Sequence, residues 1–527
     1  METTSSISKD LSSLYNNITK EKGKPLDFWE IAALLEIYGI RDIDAQQDYG
    51  FDTVFDMAKY MMKYIETKTY PEKSLVSWEE LPSFWVRIFK NYIRGLAFAM
   101  PMFVQIFFTL SIGYAIWSGI DMDKTKATVI ALGTFLALIV TGASAQAIGR
   151  KGLFYLKQNE VILASNVTKV LVNTGFILVF IVGLVLMLFN FFFEILPSYY
   201  FFILIIFYFL LSFLFLNISI YYMFEEYTKI LYFFLLGMIS VYIAHGLLKI
   251  KLPEAQFIAL VVLDIVLSLF AYKKVRDLKR KNVISEGEGT PRASILFYSL
   301  IPFYLYGFLY FVFLVTDRIV AWSGNVEAKP YFIWFDVPYE LGLDWALIAL
   351  VFLMGLTEIS IHEFMYRIND MVIKYKYRDY QTFNDNVYSF FKKFNMVYLI
   401  VSIMIVVTTY LVVYVVYKVT NLTYVENFFN GYTPFVYWIA AISYAFMVNG
   451  LMNVLFIFSF SRQNFSVKSI AIATFANVTL GMILSRMFGV EYAVFGLLLG
   501  SVLFWALSYN YAVNMFRKLE FYYYSSF

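Results

Sequence analysis

The chain reads as an all-α polytopic membrane protein, with about twelve transmembrane helices in two six-helix lobes and a small helical cytosolic domain ahead of them. Three observations predict this. Hydrophobic residues make up 60% of the 527, and the mean hydropathy is +0.65, too apolar for a chain whose surface faces water. Twelve apolar runs approach the roughly 20 residues needed to cross about 30 Å of hydrocarbon. They divide six and six around one basic, Gly-containing linker, 273–294.

Residues 1–90 differ from the rest, with 15 acidic and 11 basic residues. Asp27-Phe-Trp-Glu30 has capping-box spacing and opens an apolar-rich helix ending at Gly39. Phe51, Val54, Phe55, Ala58, Met62 and Ile65 then recur at helical spacing, predicting a second apolar face. Phe84, Trp85, Ile88, Phe89 and Tyr92, interleaved with Arg87, Lys90 and Arg94, suit an interfacial helix just before the first span. This domain serves as a stabilising cap or as a docking site for a partner.

The amino-terminal lobe, 91–272, holds runs at 94–117, 127–148, 168–193, 198–223, 229–248 and 255–272. The carboxy-terminal lobe, 295–517, holds runs at 295–321, 340–361, 396–417, 434–460, 466–486 and 492–516, followed by a tail, 518–527. Lys and Arg concentrate after even-numbered runs: Arg150, Lys151 and Lys157 after the second, six basic residues from Lys273 to Lys281 after the sixth, and Arg367 to Lys393 after the eighth. The positive-inside rule therefore puts these loops and both termini in the cytoplasm. Lys124, Lys126, Lys249 and Lys251 run against that pattern. Asn421-Leu-Thr423 is a sequon in a predicted outer loop and offers a topology probe. No h-region precedes the first run, which is read as the targeting signal.

Several function classes are excluded. The absence of cysteine removes disulfides, thiol catalysis and Cys-ligated clusters. The sequence carries no GK[ST] phosphate loop, no HExxH and no GxSxG, and its two histidines are too few for a histidine-rich metal site. The basic residues follow membrane topology rather than forming a nucleic-acid stripe. No cofactor is expected. The 56 Phe and 43 Tyr could stack on sugars, but aromatic belts and lipid-facing Phe account for most of them.

Charges inside the bilayer carry the functional signal, because each costs about 2.5 to 3.5 kcal/mol on insertion scales. Asp264, in Val261-Val-Leu-Asp-Ile-Val-Leu267, lies about halfway through the sixth run and is the candidate for a protonatable coupling site. Asp317 and Arg318 lie near the outer end of the seventh run, where Arg318 either binds an anion, pairs structurally or snorkels. Asp344 and Glu358 bracket the uncharged part of the eighth run, at opposite membrane depths. Gln105, Asn173, Asn217, Asn449, Asn453 and Asn477 either join helices or line a wet cavity, with Gln105 and Asn453 kept as contact candidates.

Thr316-Asp-Arg-Ile-Val-Ala-Trp322, Phe335-Asp-Val-Pro-Tyr339, the stretch from Glu358 to His362-Glu-Phe364 and the Tyr- and Lys-rich loop after it resemble the Pel-type exopolysaccharide transporters. These belong to the superfamily of multidrug exporters and oligosaccharide flippases. The resemblance covers 314–394, and Arg318 stands where Lys is commoner. It implies two six-helix lobes forming a V about a central cavity, related by a pseudo-twofold along the membrane normal, and alternating access by rocking. A polysaccharide or lipid-linked oligosaccharide would leave the cytoplasm across the cell membrane, coupled to an ion gradient and helped by a cytosolic glycosyltransferase touching residues 1–90. The alternatives are a multidrug or cation exporter on the same scaffold, a scaffold subunit with no transport of its own, and a membrane glycosyltransferase built on Asp121 and Asp123.

Overall fold

The computed structural model describes residues 11, 14, 25, 27–66, 83–120, 122–158, 160–281, 292–324, 333–375, 379–419 and 428–524. Asp121, most of the linker (282–291), Asn421, Thr423 and the side chain of Ile65 lie outside them. The described residues are helical apart from turns and one isolated bridge, Tyr114 to Gly119. Hydrocarbon offers the backbone no partners, so a helix, which satisfies its own, is the form each apolar run takes.

Two compact units emerge, one made of Met1–Lys90 with Glu363–Ser389, the other of Asn91–His362 with Phe390–Phe527. In the first, α1 (Phe28–Ile37), α2 (Asp42–Tyr49) and α3 (Val54–Glu66) surround a core of Ile31, Leu35, Ala45, Val54, Met57, Ala58 and Met61. Asp27 caps α1 by accepting from the Glu30 amide at 3.0 Å, and Gly39 ends the turn at φ +82°. The inward face of α3 differs from the sequence expectation. Phe55 is 40% exposed and stacks edge-on to Trp29 at 5.2 Å, while Met57 and Met61 are buried. Apolar residues flank both faces of this helix, and packing against α1 selects the methionine side. Glu363 joins this unit through a two-pronged ion pair with Arg87, at 3.0 and 2.9 Å, and the guanidinium lies 4.5 Å from the Tyr366 ring centre.

Among the described residues twelve helices are long and apolar enough to span a membrane, which makes this a multi-pass membrane protein. They are α4 (Phe84–Ile112), α5 (Lys124–Lys157), α6 (Val161–Phe193), α7 (Ser198–Met223), α8 (Tyr227–Val241, continued to Leu247 by a wider turn), α9 (Leu252–Lys281), α10 (Ala293–Trp322), α11 (Val337–Lys374), α12 (Tyr380–Val419), α13 (Thr433–Ser459), α14 (Gln463–Met487) and α15 (Val494–Phe516, entered by a tight turn from Val490). A short α16 (Leu519–Tyr524) follows. The expected interfacial helix is not a separate element, because Phe84 already begins α4. Nothing from Phe84 to Arg94 breaks a helix, and Pro101 is accommodated inside it, with the Phe98 carbonyl accepting the Tyr222 hydroxyl at 3.0 Å. The phenylalanines of α6 point outward, Phe191 and Phe192 being more than 70% exposed, as lipid-facing side chains do.

In the membrane unit α5 packs extensively on α7, and α15 on both α13 and α14, while α5 against α10 joins the first six spans to the last six. Glycines allow that junction. A Cβ on Gly307 of α10 would come within 2.4 Å of the Gly142 carbonyl of α5, and one on Gly95 of α4 within 2.8 Å of the Gly355 Cα of α11. Small residues that let helix backbones touch are a usual means of membrane helix packing. Gly307→Ala is expected to lower stability by about 1–3 kcal/mol through overpacking, whereas Gly149→Ala, which meets nothing within 4 Å, is expected to be neutral. Thermal unfolding in detergent compares the two.

Glu226, in the connection before α8, accepts from Lys274 of α9 at 2.6 Å and from Lys229 at 2.9 Å. Burial pushes its carboxyl up, but the two ammonium groups outweigh that and hold it below the usual carboxylate range. A lowered folded-state value means the stabilisation is present at neutral pH and is lost as pH falls through that value. Glu226→Gln should therefore melt below wild type at pH 7, with the gap closing as the medium is acidified past the carboxylate range.

Candidate functional site

The end of α10 and the start of α11 build a buried ionic cluster. Asp336 caps α11, accepting from the Tyr339 amide at 3.0 Å and from the Tyr432 hydroxyl, and Pro338 sits in the first turn, where a missing N–H costs nothing. Glu340 and Asp344 are one turn apart and so share a face. Arg318 bonds to Glu340 and lies 3.8 Å from Asp344, while the Trp322 indole donates to the other Glu340 oxygen at 2.9 Å. Asp317, adjacent to Arg318 but turned away on the helix, accepts instead from the Tyr339 hydroxyl at 3.2 Å, and its second oxygen has no partner among the described residues. Phe135 of α5 closes the cluster, 5.8 Å from the Arg318 guanidinium and 5.4 Å from the Trp322 ring. Two carboxyl groups, of Glu340 and Asp344, thus face one guanidinium, and a third, of Asp317, lies on the adjoining side of α10.

Of the sequence candidates, Asp317, Arg318 and Asp344 come together here. Glu340 was not among them, although its i, i+4 relation to Asp344 was the signal that could have found it. Glu358, further along α11, belongs to a second group. Arg94 of α4 pairs with Glu225 and, at 3.3 Å, with Glu358, whose carboxylate also lies 3.1 Å from His362. This group ties the first span and the connection after α7 to the eighth span.

Asp264 stands alone. It is 7% exposed in α9, and neither carboxyl oxygen has a hydrogen-bond partner among the described residues. One turn along, Ser268 accepts from Asn217 of α7 at 2.8 Å. No hydrogen bond or ion pair among the described residues joins Asp264 to the Arg318 cluster.

Several of the neutral candidates make bonds within or between helices. Gln105 holds the 113–120 turn, donating to the Ser118 hydroxyl at 3.1 Å and accepting from the Ile116 amide at 3.2 Å. Asn453 accepts from Asn395 at 2.8 Å, and Asn477 donates to the Phe313 carbonyl at 3.1 Å, each linking two helices. Asp123 occupies the cap position of α5 without a capping bond. Among the described residues no cluster of three or more His, Asp or Glu is arranged to hold a metal ion.

No family model matches the chain, and no curated protein matches it in sequence. Its backbone, however, is similar to that of a Vibrio cholerae MATE transporter, VcmN, crystallised as a point mutant. The two share 13% identity over 83% of this chain and 98% of that one, with a TM-score of 0.56. The fold is MATE-like. A MATE in the bent conformation gives 13% identity, coverage of 84% and 96% and a TM-score of 0.54, and a MATE in complex with MaD5 gives 11%, 82% and 97%, and 0.54. Apart from Glu225, in the connection after α7, the members of both ionic groups and Asp264 lie on the spanning helices.

Removing one member of a buried pair strands the other charge, at a cost of about 3–5 kcal/mol. Arg318→Met should therefore destabilise by about that much, and Arg318→Met with Glu340→Gln should recover most of the loss. A double-mutant cycle of detergent unfolding checks both, and a single variant within about 1 kcal/mol of wild type would contradict a buried pair.

Proposed function

We propose that the chain is an exporter working by alternating access between its two six-span lobes, and that it carries a polysaccharide or lipid-linked oligosaccharide outward across the cell membrane. The observation that carries the reading is the MATE-like fold, which extends over 83% of this chain and nearly all of its neighbour. Support for the glycan cargo comes from the segments resembling Pel-type transporters. Thr316–Trp322 and Phe335–Tyr339 converge on one cluster, where Trp322, Tyr339 and Arg318 have defined partners. Arg318 commits its donors to carboxylates, so its part in this reading is to hold the α10–α11 corner rather than to attract an anionic cargo.

Asp264 is the coupling residue in this scheme. A buried carboxyl group with no protein partner responds to any proton or cation that reaches it, and its lobe then has two charge states with different preferred packing. The termini face the cytoplasm, and a cytosolic glycosyltransferase docks on residues 1–90, where Trp29, Ile37, Ile43 and Tyr60 are exposed. The second reading, a small-molecule or cation exporter, is favoured by the MATE identity of the solved neighbours.

The test is surface glycan in cells deleted for the gene and complemented with wild type or Asp264→Asn. Loss of surface glycan with intracellular accumulation, restored by wild type and at least tenfold less by Asp264→Asn, is expected. Unchanged glycan together with altered dye efflux would move the assignment to the second reading.

A further inference from the structure

A cavity of about 210 Å³ lies between the lobes, lined by Gln146, Gly149 and Arg150 of α5 and by residues of α10, α11 and α13, among them Phe303, Phe458 and Ser459. Arg150 is half-buried, and no carboxylate among the described residues pairs with it. Its guanidinium lies over the Phe303 ring at 5.6 Å, a contact that orients the group and leaves its charge uncancelled. The neighbouring Lys151 adds to the positive field. The Gln146 amide makes no hydrogen bond to the described residues, and a Cβ on Gly149 would meet nothing within 4 Å. An arginine elsewhere in this membrane unit behaves differently: Arg94 and Arg318 are both matched by two carboxylates.

We infer that Arg150, with Gln146 beside it, forms an oxyanion subsite that receives the phosphate or diphosphate of an amphiphilic ligand. Guanidinium binds such a group through paired N–H donors, the side-chain amide supplies another, and Phe303 and Phe458 offer an apolar wall to the adjoining chain. The volume falls below the roughly 300–1,000 Å³ of pockets that enclose a drug-sized molecule, which suits a headgroup and excludes a whole glycan. Arg150 lies about two turns before the end of α5, on the side that the basic loops assign to the cytoplasm, so the site would be loaded from the inner leaflet. This inference rests on the export reading for its direction and names the part of the cargo first held.

The experiment is a calorimetric titration of the full chain in uncharged detergent with farnesyl diphosphate, using farnesol as the neutral control. Saturable binding is expected, at least tenfold tighter than farnesol and at least tenfold weakened both by Arg150→Gln, which removes the charge, and by Gly149→Leu, which fills the cavity and leaves Arg150 in place. Unfolding temperatures of both variants close to wild type establish that they fold. Equal affinity of wild type and Arg150→Gln, equal binding of farnesol, or no binding at all would overturn the subsite. Competition by phosphatidylglycerol identifies a bilayer headgroup as the natural occupant, and its failure to compete identifies a lipid-linked diphosphate; either outcome upholds the oxyanion site. The titration reads binding alone, so a negative result removes the subsite and leaves export standing, whereas an unchanged glycan phenotype would remove export and leave the binding result intact.

Discussion

Hydrocarbon supplies no partner to a polar atom, and the disposition of polar side chains across the twelve spans follows from that lack. Most hydroxyls return to their own helix: Thr134, Thr141, Ser402 and Thr474 each donate to the carbonyl one turn back. Most amides tie one helix to another, as Asn217, Asn453 and Asn477 do. Against this background a group left unmatched is conspicuous. Asp264 has two unmatched oxygens and Asp317 one, whereas Glu340, equally buried, has partners for both of its own.

Helix α11 carries members of both ionic groups. Eighteen residues separate Glu340 from Glu358, about 27 Å of helix at 1.5 Å per residue, close to the thickness of about 30 Å to be crossed. Between them the helix passes Gly355, where α4 approaches backbone to backbone. The charges frame a largely apolar section of α11 that packs through small residues such as Gly355, the Trp345–Phe428 ring contact and one hydroxyl pair, Thr357 with Tyr398.

The spans were legible in the sequence because hydropathy and the length of a membrane crossing constrain them together. Ends were less legible: the first helix begins at Phe84, well before the apolar run, because its opening turns are helix-compatible without being uniformly apolar. At the site, Asp317, Arg318 and Asp344 drew attention by their charge, but Glu340 was hidden at a helix start, where a carboxylate is ordinary. For Gln105 and Asn453 the sequence left joining helices and lining a cavity both open, and only the structure gives their bonds to Ser118, Ile116 and Asn395, since an amide's partners depend on which element lies opposite, and that is not encoded in its own neighbourhood. The same holds for Arg87 and Glu363, an ion pair separated by 276 positions that brings the end of α11 into the amino-terminal unit.

The exposure of the two ionic groups differs. The side chains of Arg94, Glu225 and Glu358 are 26–35% exposed, while those of Arg318 and Glu340 are 11% and 6% exposed. Asp344 of the second group is 34% exposed, so dissolved ions reach that side of it as they reach the first group, whereas the Arg318–Glu340 bond is screened little, since screening acts where solvent does. The contact between α4 and α11 and the Asp344 side of the α10–α11 corner are thus open to the surrounding medium, while the Arg318–Glu340 bond keeps its strength as salt is added, a hard centre within a softer rim.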